Sequence, residues 1–309
     1  MTVTRRGLQL ALAWLWLLDA ALQFQPFMFT RAFSHDVIGP AGDGQPAPVA
    51  ASVHFAVTLI ATHPVLTNVV FATVQLAIAI GLFARRSARL ALVASVAWSA
   101  GVWWFGEGAG GLFSGHGMLL SGAPGAVLLY AILAAAALPD RDSDGRGTPP
   151  RRVALVGWVG VWLLGGLLQL LPGQNSAGDV AGAVRDSADG APSALAGPTE
   201  HLAGVLGQHS VFLVALVALQ LAVGVFALRR GATRMASCVV GTAVAVLFWV
   251  FAQGVGGLVT GQSTDPNSAP LLVVLAFAAA ATRPSGLVRR TPGWEVAPAA
   301  AMRRSVTAS

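Results

Sequence analysis

Apolar stretches about as long as a bilayer core is thick recur from one end of this chain to the other. They are Leu8–Phe29, Val65–Ala84, Leu90–Phe105, Ala123–Leu138, Val153–Leu171, Val211–Leu228, Met235–Phe251 and Ala269–Thr282. A hydrocarbon core about 30 Å thick takes roughly 20 apolar residues per helix. Only 10% of the 309 residues are charged, against roughly 25% in a soluble domain, so most of the chain has no water to face. The expected fold is an all-α integral membrane protein of about eight transmembrane helices. The fourth and eighth runs are short for a crossing. They are expected to start inside the glycine-rich loops before them, or to be tilted or thin spans. The first run follows Arg5 and Arg6 as a secretory signal would. No small-residue cleavage site comes after it, and the same pattern recurs at Val153, so it reads as a retained helix.

Arginine placement sets the orientation. One set of loops carries Arg5, Arg6, Arg85, Arg86, Arg89, Arg141, Arg146, Arg151, Arg152, Arg229, Arg230, Arg234 and the tail arginines Arg283–Arg304. The opposite set carries Arg31 and Arg185. The arginine-rich side is cytoplasmic, which puts both termini there. These clusters are topogenic and form no basic stripe, so nucleic acid is excluded as a partner. The chain has no lysine and a single tyrosine, Tyr130. With abundant Ala, Gly and Val, this suggests a GC-rich bacterial genome, and hence the bacterial cytoplasmic membrane. Cys238 is alone, which leaves no disulfide framework or redox pair.

The sequence repeats itself at an offset of 146 residues. Trp16-Leu17-Leu18 returns as Trp162-Leu163-Leu164, Gln23 as Gln169, Pro26 as Pro172 and His63 as His209. Phe105–Leu112 returns as Phe251–Leu258, Ser114-Gly115 as Thr260-Gly261, and Pro124 as Pro270. Between these, Gln75 pairs best with Gln220 and Arg86 with Arg230. Chance apolar similarity would not keep one register through loops. The expected organisation is a first four-helix repeat over 1–138, a cytoplasmic linker over 139–152, a second four-helix repeat over 153–284 and a disordered cytoplasmic tail over 285–309. An even number of spans per repeat makes the two copies parallel, related by an axis along the membrane normal.

Polar residues in apolar surroundings are the candidates for chemistry. Asp19 lies inside the first span, with Gln23 one turn further out on the same face. An intramembrane carboxylate is a functional hypothesis in its own right. Gln169 repeats Gln23, but Asp19 becomes Gly165. Gln75 and Gln220 add polar groups at depth. Two readings stand for all of these, an outward-opening polar cavity and plain interhelical hydrogen bonding. Glu107 and Gln253 sit in the Gly-x-Gly-Gly loops, which are expected to form partly re-entrant hairpins under protein cover with both side chains turned to a shared outer vestibule. The six histidines fall on the outer side. His54 and His63 with Glu107, echoed by His201 and His209 with Gln253, have ligand types that suit zinc or copper, although their spacing matches no compact pair. The alternative is that they cap or link interfacial helices, expected over Ala51–Thr62 and Pro198–Gly207. Pro64 is expected to end the first of these, and Pro198 to stand in the first turn of the second. Trp98, Trp103, Trp104 and Trp249 gather toward outer helix ends, as interfacial anchors do.

The stretch Gln75-Leu76-Ala77-Ile78-Ala79-Ile80-Gly81-Leu82-Phe83-Ala84-Arg85-Arg86-Ser87-Ala88-Arg89, echoed from Gln220 to Arg234, resembles the DoxX-like four-helix membrane family. Gln75 and Gln220 stand where that family usually has an acid. The resemblance implies a membrane subunit of a redox-linked or envelope complex, here as a tandem pair, with a quinone as a conceivable cofactor and a membrane protein as partner beside the lipid bilayer. Three function classes follow. They are a membrane subunit or scaffold with a ligand pocket, a small-solute or ion transporter with a path between the repeats, and an enzyme with an outer-face transition-metal site.

Overall fold

The computed structural model describes residues 3–138 and 151–281. Every regular element among them is helical. The expected linker lies outside the described residues apart from Arg151 and Arg152, which open a helix, and so does the expected tail.

The first bundle is made by α1 (Arg5–Leu22), α3 (Pro64–Phe83), α4 (Ala88–Phe105) and α5 (Ala126–Ala137). α1 starts where the Thr4 hydroxyl accepts the amide of Gly7, and its buried face repeats at helical spacing through Leu8, Leu12, Trp16 and Asp19. It ends at Leu22, earlier than its apolar run, because Gln25 is extended ahead of Pro26. Arg6 then reaches the carbonyls of Leu82 and Phe83, and Gln9 that of Ala137. The start of α1 therefore lies beside the ends of α3 and α5. The Arg5, Arg6, Arg85, Arg86 and Arg89 cluster collects at that end of the bundle.

The second bundle is made by α6 (Arg151–Leu168), α9 (Ser210–Ala227), α10 (Ala232–Ala252) and α11 (Ser268–Ala280). Four helices, α3, α4, α9 and α10, are long and apolar enough to cross a membrane. α5 and α11 are shorter for a structural reason: they pack on each other and on both bundles at the centre. α5 buries Leu129, Tyr130, Leu133 and Ala137 completely, and α11 does the same with Leu271, Leu275 and Ala278. Glycine-rich loops continue their course under protein cover. There the turns Ala109–Gly111 and Gly254–Gly257 carry left-handed backbone.

Outside the bundles, α2 (Ala47–Thr62) packs with the short turns of residues 26–42 around Met28, Phe33, Val53, Val57 and Ile60. This forms a cap over the cavity end of the first bundle. Thr62 ends α2, and Pro64 opens α3, as expected. Over the second bundle lie α7 (Ala177–Asp186), started by a capping box between Ser176 and Asp179, and α8 (Ser193–Gln208). Pro198 is interior to α8 rather than in its first turn, since Pro192 already sets the cap and the helix starts one turn earlier than its hydrophobic pattern does.

Candidate functional site

The first bundle does not close on itself under the cap. Between α1, α3, α4 and the cap lies a cavity of about 440 Å³. Its walls are mostly aromatic and aliphatic, and Asp19, Gln23, Gln75 and Glu107 all face it, joined by Thr264 and Asp265 from the loop before α11. Helical spacing places the first three: Asp19 and Gln23 are a turn apart on α1, and Gln75 is on the face of α3 that packs against α1. Asn68 on the same face fixes the end of α1, donating to the Gln23 carbonyl at 2.7 Å. Trp16 is held by its indole N–H to Ser95 Oγ at 2.9 Å.

Asp19 is 2% exposed, Gln23 2% and Gln75 7%. In each, one side-chain oxygen has no hydrogen-bond partner. The Tyr130 hydroxyl of α5 stands next to Asp19 as its nearest hydrogen-bonding group, short of full bonding geometry to Oδ1. A buried unmet polar atom carries a real free-energy cost, so three of them around one hollow call for a ligand or water.

Glu107 divides this cavity from a second, more polar cup of about 310 Å³ lined by Ser114, His116, Ser121 and Asn267. Glu107 and Asp265 line both spaces. Glu107 Oε1 accepts the Val127 amide at 3.3 Å at the start of α5, so the carboxylate acts as that helix's cap. Oε2 has no partner and lies against Gly125, where a Cβ would collide with it and where φ is +100°. Burial, and then Asp265 close by, push the Glu107 carboxyl up to about 8. Burial also raises Asp265, against the opposing bonds from Asn267 and Thr264.

The other three vestibule candidates are not in this cavity. Gln220 donates to Gln169, and Gln169 also reaches Met118 Sδ at 4.0 Å. Gln253 donates to the Leu120 carbonyl at 3.1 Å and to Ser268 Oγ at 3.0 Å. These three make interhelical hydrogen bonds, with Gln220 Oε1 left without a partner, and Gln253 lines neither of the two spaces that Glu107 lines. The loops explain this. The segment Met118–Leu120 of the first loop is buried against the second bundle, and a Cβ at Gly165 would meet Leu119 and Gln220. The loop before α11 in turn reaches back over the first bundle, where Gln25 donates to the Ser263 carbonyl at 2.9 Å. The exchange fills one hollow with Met118 and Leu119 and lines the other with Thr264 and Asp265.

His54, His63, His201 and His209 are exposed. Among the described residues, no group of three or more histidine, cysteine or acidic side chains is placed to hold a metal. Helical geometry spreads them: His54 is on α2, and His63 and His209 are at the joints into α3 and α9. Trp103 and Trp249 donate to the carbonyls of Pro124 and Pro266, Trp104 donates to Ser52, and Trp98 lines the cavity. Pro266, four residues before the Pro270 expected from sequence, is therefore what Trp249 meets. Asp265, Tyr130 and His116 escaped the sequence reading. Thr264-Asp265-Pro266-Asn267 reads as an ordinary turn, and nothing in its composition shows that it crosses to the other bundle. Compared with family models, curated proteins and solved structures, the chain matches none.

Proposed function

We propose that this is a multi-pass protein of the bacterial cytoplasmic membrane in which the first four-helix unit binds a small, largely apolar ligand and the second is its filled scaffold. The observation that carries this is the 440 Å³ cavity with Asp19, Gln23 and Gln75 buried and unmet in its wall. Apolar walls with a few convergent polar groups are what a small-molecule site needs. Phe55, Leu59 and Phe105 line the cavity and are also exposed. In a bilayer that opening, between α2 and α4, faces lipid, so the ligand enters from the membrane.

Duplication is supported by the matching bonds Trp103–Pro124 and Trp249–Pro266 and by Glu107 and Gln253 at the starts of α5 and α11. The exchanged loops belong to one end of both bundles, which supports a parallel pair. The arginines at the opposite end support an outward-facing cavity and cytoplasmic termini. In this reading α1, α5, α6 and α11 complete the eight spans. The DoxX-like resemblance adds the setting of a redox-linked or envelope assembly with the chain as membrane subunit. A transport path between the units is less favoured, because Leu129, Leu133, Leu271 and Leu275 fill that seam.

Gly101 lines the cavity, and a Cβ there would meet nothing within 4 Å. Gly101→Leu should fill the cavity without backbone strain. In lipid nanodiscs, a small membrane-soluble aryl diazirine is expected to photolabel the inward residues Trp16 and Phe71 of the wild type. In Gly101→Leu it should spare them while still labelling lipid-facing Leu66. Equal labelling of Trp16 and Phe71 in both proteins, or none in either, would overturn the ligand-cavity reading.

A further inference from the structure

We infer that the ligand of this cavity is an organic ammonium, an amphipathic amine held by its charged head at Asp19 and Glu107 with its apolar body against the aromatic wall. This rests on the cavity binding a ligand at all, and three further observations carry it.

The first is the sign of what is missing. Among the residues lining the cavity, the fully enclosed side-chain atoms without a partner are Asp19 Oδ1, Gln23 Oε1, Gln75 Oε1, Glu107 Oε2 and the indole N–H of Trp98. Four of the five are oxygens; the two glutamine oxygens can exchange places with their amide nitrogens, whereas the Asp19 and Glu107 carboxylates, once ionised, only accept. An ammonium carries donors and no acceptor, so it satisfies the two carboxylates and draws them into the ionised form.

The second is charge. Asp19, Glu107 and Asp265 all line the cavity, and no arginine or histidine does. Three acids sharing one hollow without a cation repel one another when ionised. A bound cation relieves that repulsion and turns the hydrogen bonds into charge-assisted ones.

The third is the wall. Trp16, Phe33, Phe55, Phe71, Trp98 and Phe105 line the same space. Aromatic faces attract a desolvated cation and accept an apolar body equally well. The second bundle lacks these features together. Gly165 stands in place of Asp19 and Gln253 in place of Glu107, and Leu119 fills the space.

The test uses the purified full chain in nanodiscs and three probes that share one apolar body: phenylbutylammonium, phenylbutanol and phenylbutyrate. Binding is measured calorimetrically, with empty nanodiscs subtracted. The ammonium is expected to bind about tenfold more tightly than the alcohol, the margin that separates a charge-assisted from a neutral hydrogen bond, and the carboxylate is expected not to saturate. Asp19→Asn, an isosteric change, should bring the ammonium-to-alcohol ratio to about one, and Glu107→Gln should lower it independently. An alcohol or carboxylate that binds the wild type as tightly as the ammonium overturns the ammonium assignment and leaves the ligand cavity standing. So does a ratio that survives both substitutions. Saturable binding by none of the three overturns both.

Discussion

Asp19 and Glu107 have Gly165 and Gln253 as their counterparts at the 146-residue offset. Those two exchanges, with Asp265 lining one space and Leu119 filling the other, separate a polar hollow from a filled one. Gln23 and Gln75 keep their identity in Gln169 and Gln220, yet their roles differ. Gln220 donates to Gln169, and of that pair only Gln220 Oε1 is left unmet, whereas Gln23 and Gln75 both leave Oε1 unmet. Glu107 gives this a pH signature. Its folded-state carboxyl sits at about 8 against an ordinary 4.5, so the folded protein holds a proton that the unfolded chain releases. The stability tied to that proton is complete below the ordinary value and is lost as pH rises through about 8. Melting temperature should therefore fall between about pH 5 and about pH 9. Glu107→Gln, which copies Gln253, should flatten the fall without abolishing it, because Asp265 is raised by the same burial. A slope unchanged by the substitution would mean that Glu107 stays ionised in the fold.

At the level of elements, the loop segments before α5 and α11 decide more than the spans do. Met118–Leu120 is one short apolar turn, yet it closes the second bundle from above. Leu119 is 1% exposed. Leu119→Ala should cost about 2–5 kcal/mol, as for other large-to-small changes in a packed core, read by chemical denaturation in micelles. It should also open space beside Gly165 of α6 that the aryl diazirine can reach. A cost under about 0.5 kcal/mol, the range of a surface substitution, would show that the segment does not plug the bundle. The shortness of α5 and α11 follows from the same arrangement. Helices held inside protein need not span the lipid alone, because the loops above them satisfy backbone groups that lipid would leave bare.

For the whole molecule, the cavity acids Asp19, Glu107 and Asp265 lie at the end opposite Arg5, Arg6, Arg85, Arg86 and Arg89. With the proposed orientation, a membrane-impermeant maleimide applied to intact cells should label Ser114→Cys, in the polar cup, and should reach Arg86→Cys only after the membrane is permeabilised. The native Cys238 is buried and stays silent. Labelling of Arg86→Cys from outside would invert the topology and put the cavity on the cytoplasmic face. The two bundles share their central helices, so they are expected to unfold together rather than as separable domains.

The all-helical character, four of the apolar spans, the break between α2 and α3 and the glycine-rich loops were legible in the sequence, because lipid and backbone geometry act on local composition. A run of apolar residues has one environment, and Pro64 has one effect on a helix. Four of the seven polar candidates, Asp19, Gln23, Gln75 and Glu107, do meet in one cavity; helical spacing puts Asp19 and Gln23 on one face of α1, and the packing of α3 and of the loop after α4 brings Gln75 and Glu107 to it. Which bundle stays hollow was not local information. It depends on each loop crossing to the other bundle, so that Leu119 fills one space and Asp265 lines the other, and a contact made between the halves leaves no periodicity in either.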